Sequence, residues 1–295
     1  MESITNFITL NCNGFKSNSL YIANLCKNHD CLFLTETWLL ETEKHFTQDY
    51  KNDFFIIFTA AKRHNHGRPF GGNLLLLRKN QFTKPTIILQ EDFSTSIVTK
   101  FNNKAILISG LYLQSLSSSI ESSVDTYQSQ LSTVSGVIER FSSSAIPFVL
   151  GDFQCFPDSF KFSNRAANTN SLSKYLSAFL TNHNLIPVDI THGKGPNYTY
   201  KHISMPNKSY IDHILIQPEV MDIFLTSNVL NPNPINTSDH LPVSLQLKQD
   251  VILPCSITTS STINHETPTF HENPDNIDGI TQHVPNYMWN RINYF

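Results

Sequence analysis

Pro147-Phe148-Val149-Leu150-Gly151-Asp152-Phe153-Gln154 is a short apolar run closed by a glycine and a carboxylate. Such a run is too short for a helix and reads as a strand buried on both faces, with Gly151-Asp152 as the turn that ends it. Immediately upstream, Ile120–Phe141 repeats Val124, Tyr127, Leu131, Val134 and Ile138 at helical spacing. Before that, Ala105–Leu113 is another apolar run. Strand, helix, strand is the unit from which layered α/β domains are built.

The same alternation extends outward. Phe7–Cys12, Cys31–Thr35, Phe54–Ala60, Asn73–Arg78, Thr86–Gln90 and Ile97–Phe101 read as strands, with a helix over Ser17–His29. Downstream, Leu172–Leu180 reads as a helix and Leu185–Ile190 as extended chain. Asn197–Ile203 and Ser209–Ile216 read as a hairpin around Met205-Pro206-Asn207, and Leu241–Leu247 as a last strand. Strands outnumber helices and short turns join many of them, which predicts mixed sheets rather than a doubly wound parallel one. Residues 251–286 are rich in Thr, Ser, Asn and Pro without periodicity and read as a flexible linker. Residues 287–295 regain aromatics but are too few to fold alone.

The chain has 295 residues, 40% of them hydrophobic, which is ample for a packed core. No apolar run approaches the ~18 residues of a membrane span, and the first residues lack a secretory signal pattern. No membrane association is expected, and the location expected is intracellular. The five cysteines form no CxxC pair, which argues against a disulfide framework or a zinc ribbon. The net charge of −3 lies in the tail; residues 1–250 balance 20 cations against 20 acids. A polyanion would therefore be held through local patches and a bound cation, not by a global basic field.

Acidic and polar residues recur at the ends of the predicted strands: Asn11, Asn13, Glu36, Tyr112, Asp152, Gln154, Asp212, Asp239 and His240. Taken singly, each has a structural explanation as a turn former or cap. Together they suit one chemistry, because strand ends are where α/β folds gather their sites. Glu36 suits Mg2+, a hard ion that prefers oxygen. Asp152 could orient or deprotonate water, and His240 could contact a phosphate if Asp212 fixes its tautomer. Asn11 and Gln154 could donate to phosphate oxygens. No nucleophile elbow, Walker loop or dinucleotide fingerprint competes with this reading. Arg63-His64-Asn65-His66 reads as a solvated basic loop, since no partner stands at metal-ligand spacing.

The ordered blocks Asn11-Cys12-Asn13-Gly14, Leu34-Thr35-Glu36-Thr37-Trp38, Gly71-Gly72, Tyr112, Gly151-Asp152-Phe153-Gln154, Ser209-Tyr210-Ile211-Asp212-His213 and Ser238-Asp239-His240-Leu241-Pro242-Val243 resemble the endonuclease/exonuclease/phosphatase superfamily. Their wording is most similar to the apurinic-type endonuclease domain of non-LTR (LINE) retrotransposons. The resemblance covers residues 6–248. It implies an α/β four-layer sandwich, two packed mixed β-sheets flanked by helices, as in deoxyribonuclease I, for a domain spanning 1–250.

It also implies roles. Glu36, Asn13 and Asp239 would lie at the metal, which would be Mg2+ with Mn2+ as a substitute. Tyr112 would approach the scissile phosphate with Asn11. Asp152 would position the nucleophilic water, and Asp212 would pair with His240. Thr199 and Ser209 would flank a hairpin laid into the groove of double-stranded DNA. Lys201, His202 and Lys208 on that hairpin, with Arg63 and Arg68 on a second loop, would contact phosphates.

The implied activity is strand nicking by a monomer, in the nucleus, with Tyr287-Met288-Trp289-Asn290-Arg291 resembling the start of the segment that leads to a reverse transcriptase. Two departures stand out. Gln154 replaces the family's Asn, adding a methylene of ~1.5 Å, and displacements of ~1 Å can cost ~10²-fold in rate. Leu113-Gln114 replaces the usual proline-containing turn. The alternatives are a phosphatase or lipid phosphodiesterase of the same superfamily, and a catalytically impaired remnant.

Overall fold

A computed structural model describes residues 3–249, apart from 64–66, 118, 162, 167–168 and 203. The expectations for residues 251–286 and 287–295, and for His64 and His66, concern residues outside this range. In chain order the elements are β1 (Ile4–Asn11), α1 (Ser19–Asn28), β2 (Cys31–Thr35), β3 (Phe54–Thr59), β4 (Asn73–Arg78), β5 (Thr86–Glu91), β6 (Ser94–Phe101) and β7 (Lys104–Tyr112). There follow α2 (Ile120–Phe141), β8 (Ile146–Asp152), α3 (Ser173–Asn182), β9 (Ile186–Pro187), α4 (Val188–Thr191), β10 (Gly193–Lys194), β11 (Tyr200–Lys201), β12 (Lys208–Ser209), β13 (Asp212–Ile216), β14 (Phe224–Val229) and β15 (Val243–Lys248).

Two mixed sheets result. One has the order β10-β14-β15-β1-β2-β4-β3, the other β5-β6-β7-β8-β13-β9. Side chains alternate between the faces of a strand, so the strand sequences decide the layering. Phe7, Phe33, Leu75 and Leu77 from the first sheet meet Ile97, Ile108, Phe148 and Ile214 from the second in the central core. Their neighbours Ile8, Leu32, Leu34, Leu74 and Leu76 face the other way and cover Tyr21, Ile22, Leu25 and Cys26 of α1. On the far side, Leu107, Val149 and Leu215 pack beneath Tyr127, Leu131, Val134 and Ile138 of α2 and Leu176 and Phe179 of α3. Strands buried on both faces must be apolar at every position, which explains the uninterrupted runs Cys31–Leu34 and Leu74–Leu77. The order helix, sheet, sheet, helix is the four-layer sandwich expected.

Phe7 and Phe148 stack across the central layer, with ring centroids 5.3 Å apart and planes 7° apart. Gly110 of β7 permits a close approach between the sheets: a Cβ there would lie 2.3 Å from Phe33 Cδ2.

Three expectations need correction. Leu185–Ile190 is not extended throughout: a two-residue strand turns at Val188 into the short helix α4. Buried Asp189 explains the switch, because its carboxylate binds His213 and the Ile214 amide and its carbonyl receives the Tyr210 hydroxyl. Ser209–Ile216 is not one hairpin arm. β12 pairs with β11 in a separate two-stranded sheet, while β13 enters the second main sheet beside β8. Gly151 does not end its strand; β8 continues through Asp152, pairing Leu111 with Gly151 and Tyr112 with Asp152. Gly151 has φ +147°, and a Cβ there would come within 2.0 Å of the Leu111 carbonyl oxygen, so only glycine fits this approach.

Candidate active site

The strand register assembles the site. Asp152, the last residue of β8, lies opposite Asp212, the first of β13, in the antiparallel ladder. It also lies beside Tyr112, the last residue of β7, in the parallel one. Three polar side chains thus stand level across three adjacent strands. Asn11 reaches over from the other sheet, where it ends β1, and donates from Nδ2 to Asp152 Oδ2 at 3.0 Å. Gln154 folds back with φ +59°. Its backbone N–H donates to Asp152 Oδ1 at 3.1 Å and its Nε2 to Oδ2 at 2.8 Å.

Burial, then the facing carboxylate of Asp212, pushes the Asp152 carboxyl up to about 7, against the lowering effect of His240, Asn11 and the Gln154 amide. His240 precedes β15, and its Nδ1 meets Asp212 Oδ2 at 2.9 Å. Burial alone would lower its pKa, but Asp212, Asp152 and Asp239 outweigh burial and raise it to about 9. Asp152, Asp212 and His240 bring one ligand atom each within 4.8 Å of one another. Asp212 Oδ1 is buried without a hydrogen-bond partner, so a cation or a substrate donor there would satisfy it.

Glu36 follows β2 in a turn where both Glu36 (φ 52°) and Trp38 (φ 56°) are left-handed. Its Oε2 accepts the Gly71 N–H at 3.1 Å and the indole N–H of Trp38. Tyr112 also bonds to this carboxylate, and burial, Glu36 and Asp152 raise its pKa, so the hydroxyl stays protonated. Asn13 Nδ2 donates to Asp239 Oδ1 at 3.3 Å.

Glu36, Asp239 and the Asn13 amide oxygen are hard donors, and burial raises the neighbouring Cys12 thiol to about 12, so no thiolate is offered. That oxygen donor chemistry fits a hard divalent cation. Glu36 is not part of the tight Asp152–Asp212–His240 group; Tyr112 links the two halves of the site.

A cleft of about 330 Å³ opens beside Glu36 and Tyr112, lined also by Phe70, Phe93, Leu113 and Gln114. Lys201 and Lys208 are exposed on the β11–β12 hairpin, with His202 and Ser209 half-buried, and Lys208 Nζ stands 4.2 Å from the Tyr198 ring centroid. Thr199, expected to flank the DNA-facing hairpin, is fully buried. Its hydroxyl accepts the N–H groups of Ile211 and Asp212 at 3.0 and 3.1 Å, so it sets the backbone from which Asp212 projects. Arg63 is exposed. Arg68 stacks on Trp38, its Cζ 4.1 Å from the ring centroid.

Several supporting residues escape single-residue reading. Ser238 donates to the Asn11 carbonyl at 2.6 Å and accepts the His240 N–H at 3.0 Å, pinning the end of β1 to the His240 loop. Asn236 Nδ2 holds the His240 carbonyl at 2.9 Å. Tyr200 lies 5.0 Å from the His240 ring. His213 joins Asp189 at 2.8 Å and the Cys155 carbonyl at 3.1 Å, both side chains fully buried. Ser238 and His213 lie inside the quoted blocks, so the signal was present; Asn236 and Asp189 carry none in the sequence.

The model of the Endonuclease/Exonuclease/phosphatase family matches residues 8–240. No curated protein sequence gives a significant match. Among solved structures, the AP endonuclease LMAP from Leishmania major is similar with a TM-score of 0.66 at 12% identity, covering 83% of this chain and 88% of that one. The 3' phosphatase NExo from Neisseria, bound to a product DNA hairpin, is similar with a TM-score of 0.63 at 15% identity, covering 83% and 99%. The endonuclease domain of TRAS1, a telomere-specific non-LTR retrotransposon, has a TM-score of 0.57 at 11% identity, covering 84% and 99%. At these identities the likeness is one of fold.

Proposed function

The chain belongs to the endonuclease/exonuclease/phosphatase family, and on that premise we propose that it is a Mg2+-dependent phosphodiesterase that nicks one strand of duplex DNA. The observation that carries this reading is the convergence of Asn11, Gln154, Tyr112, Asp212 and His240 on a buried Asp152 with a pKa raised to about 7. At neutral pH much of Asp152 is an anion able to take a proton from water, as a general base requires. Asn11 and Gln154 fix its direction. Water attacks phosphorus, its proton passes to Asp152, and the bond to the 3' oxygen breaks in line, the leaving oxygen taking up a proton from solvent to become a hydroxyl. His240, cationic and held by Asp212, faces the phosphate charge through Nε2, and Tyr112, its hydroxyl kept on the Glu36 carboxylate, lies against the phosphate beside it.

Glu36, Asp239 and Asn13 would hold the metal ion. When bound, that ion supplies Lewis acidity at the phosphate and the leaving oxygen. Lys201, His202, Lys208, Ser209 and Arg63 form the DNA-facing rim. The LINE-like wording of the motifs supports a role beside a reverse transcriptase, as a nuclear monomer. The neutral body favours one second reading, a phosphomonoesterase using the same residues, whereas Gln154 favours a catalytically impaired remnant.

Supercoiled plasmid incubated with Mg2+, with and without EDTA, tests the proposal beside a duplex bearing a 3' phosphate. Metal-dependent conversion to open circles is expected. Release of inorganic phosphate without nicking would favour the second reading, and neither product would mark an inactive remnant.

A further inference from the structure

Trp38 carries no role in the mechanism above, yet it occupies the most constrained turn in the site. Thr35-Glu36-Thr37-Trp38 contains two non-glycine residues in the left-handed region, a conformation that persists only where surroundings over-determine it. They do so here from two sides. Gly14 and Phe15 donate their N–H groups to the carbonyls of Glu36 and Thr37, both at 2.8 Å. Thr37 and Trp38 donate theirs to Gly72 and Gly71, both at 3.1 Å. The indole packs against Gly14, where a Cβ would come within 2.7 Å of Trp38 Cε3. The Arg68 guanidinium stacks on the ring at 4.1 Å. The indole N–H then ends on Glu36 Oε2, the oxygen that also receives Gly71 N–H.

We infer that Trp38 is a positioning residue for the Glu36 carboxylate, and that Arg68 serves this arrangement by clamping the indole rather than by contacting DNA. The inference rests on the proposal that Glu36 holds the divalent ion. An indole N–H satisfies one lone pair of Oε2 and fixes the rotation of the carboxylate that would hold the ion. Such outer partners of metal ligands typically change metal affinity by ~10–100-fold. Phenylalanine at position 38 keeps a ring for Arg68 and Gly14 and removes only the N–H.

The test uses the full chain and Mn2+ as the probe, with free Mn2+ counted by electron paramagnetic resonance. Trp38→Phe is expected to weaken Mn2+ binding about 10-fold or more, with an unchanged metal-free melting curve, and nicking lost at low metal should return as metal is raised. Arg68→Ala is expected to weaken binding by a smaller factor while leaving the salt dependence of DNA binding unaltered. The sequence has two tryptophans, Trp38 and Trp289, so in Trp289→Phe the emission of Trp38 alone should be quenched by Mn2+. Mn2+ affinity within twofold of wild type in Trp38→Phe overturns the positioning role. Arg68→Ala with normal Mn2+ affinity and a shallower salt slope returns Arg68 to the DNA interface and overturns its part. A wild type that binds Mn2+ but does not nick refutes the proposed nuclease activity alone; one that binds no Mn2+ refutes the inference as well.

Discussion

Gln154 holds a left-handed backbone, φ +59°, and turns its amide back onto Asp152. Asparagine tolerates that backbone better than glutamine, because its short side chain can bond locally. Gln154→Asn is therefore expected to leave stability unchanged or slightly higher, and to raise turnover about 10-fold. The shorter amide would move off Asp152 Oδ2 toward the developing charge, where a well-placed donor is worth ~10²–10³ in rate. Turnover of wild type and variant on one abasic and one intact duplex decides the matter; a fall on both would show that Gln154 is adapted to this site. Asp212 and His240 form one unit, Nδ1 to Oδ2 at 2.9 Å. Asp212→Asn and His240→Ala should each cost about 10²–10⁴-fold, and the double variant little more than the worse single. Barrier changes that add would sink the pairing.

The elements owe their spacing to a few positions where backbone replaces side chain. Gly110 on β7 lets Phe33 of β2 lie against the opposing sheet, with 2.3 Å between the ring and a would-be Cβ. Both positions are fully buried in close-packed surroundings. Gly110→Ala should lower stability by about 1–3 kcal/mol, the usual cost of overpacking. Urea denaturation checks this, and adding Phe33→Leu should return part of the loss, a coupling absent if the two do not touch. The helices were legible because α2 repeats its apolar residues along 22 residues. α4 was not, because Val188–Thr191 is too short for periodicity and forms around the Asp189–His213 contact made by a distant strand.

At the scale of the molecule, three buried groups in and beneath the site lean one way. His213 and His240 hold a proton more tightly folded than free, burial opposing and Asp189 or Asp212 prevailing. Asp152 does the same, through burial and Asp212. A group with a raised folded pKa contributes stability that is full below its unfolded value and lost as pH rises through its folded one. The window runs from 6.5 to about 9 for His240 and from 3.8 to about 7 for Asp152. Burial lowers the pKa of His29 and His183, so both are neutral in either state above pH 7 and do not offset the loss. Metal-free protein should therefore be least stable at the alkaline end, with His240 alone losing on the order of 3 kcal/mol by pH 9. Denaturant midpoints at pH 7, 8 and 9 in EDTA check this; a midpoint that rises with pH would contradict the buried charge arrangement.

The sequence by itself determined the layers and the candidate residues. Apolar periodicity is local, so the doubly buried strands, α1, α2 and α3 can be read along the chain, and the blocks around Glu36, Asp152 and His240 carry the resemblance to the family. Only the tertiary structure decided what those residues do to one another. Asp152 faces Asp212 because β8 and β13 pair in that register. Asn11 reaches it because two sheets pack face to face. Thr199 is turned inward because Ile211 and Asp212 need an acceptor for their N–H groups. Pairing register, inter-sheet approach and the raised pKa values depend on distances between residues far apart in the chain, as between the paired Ile4 and Lys248, and no local pattern encodes such distances.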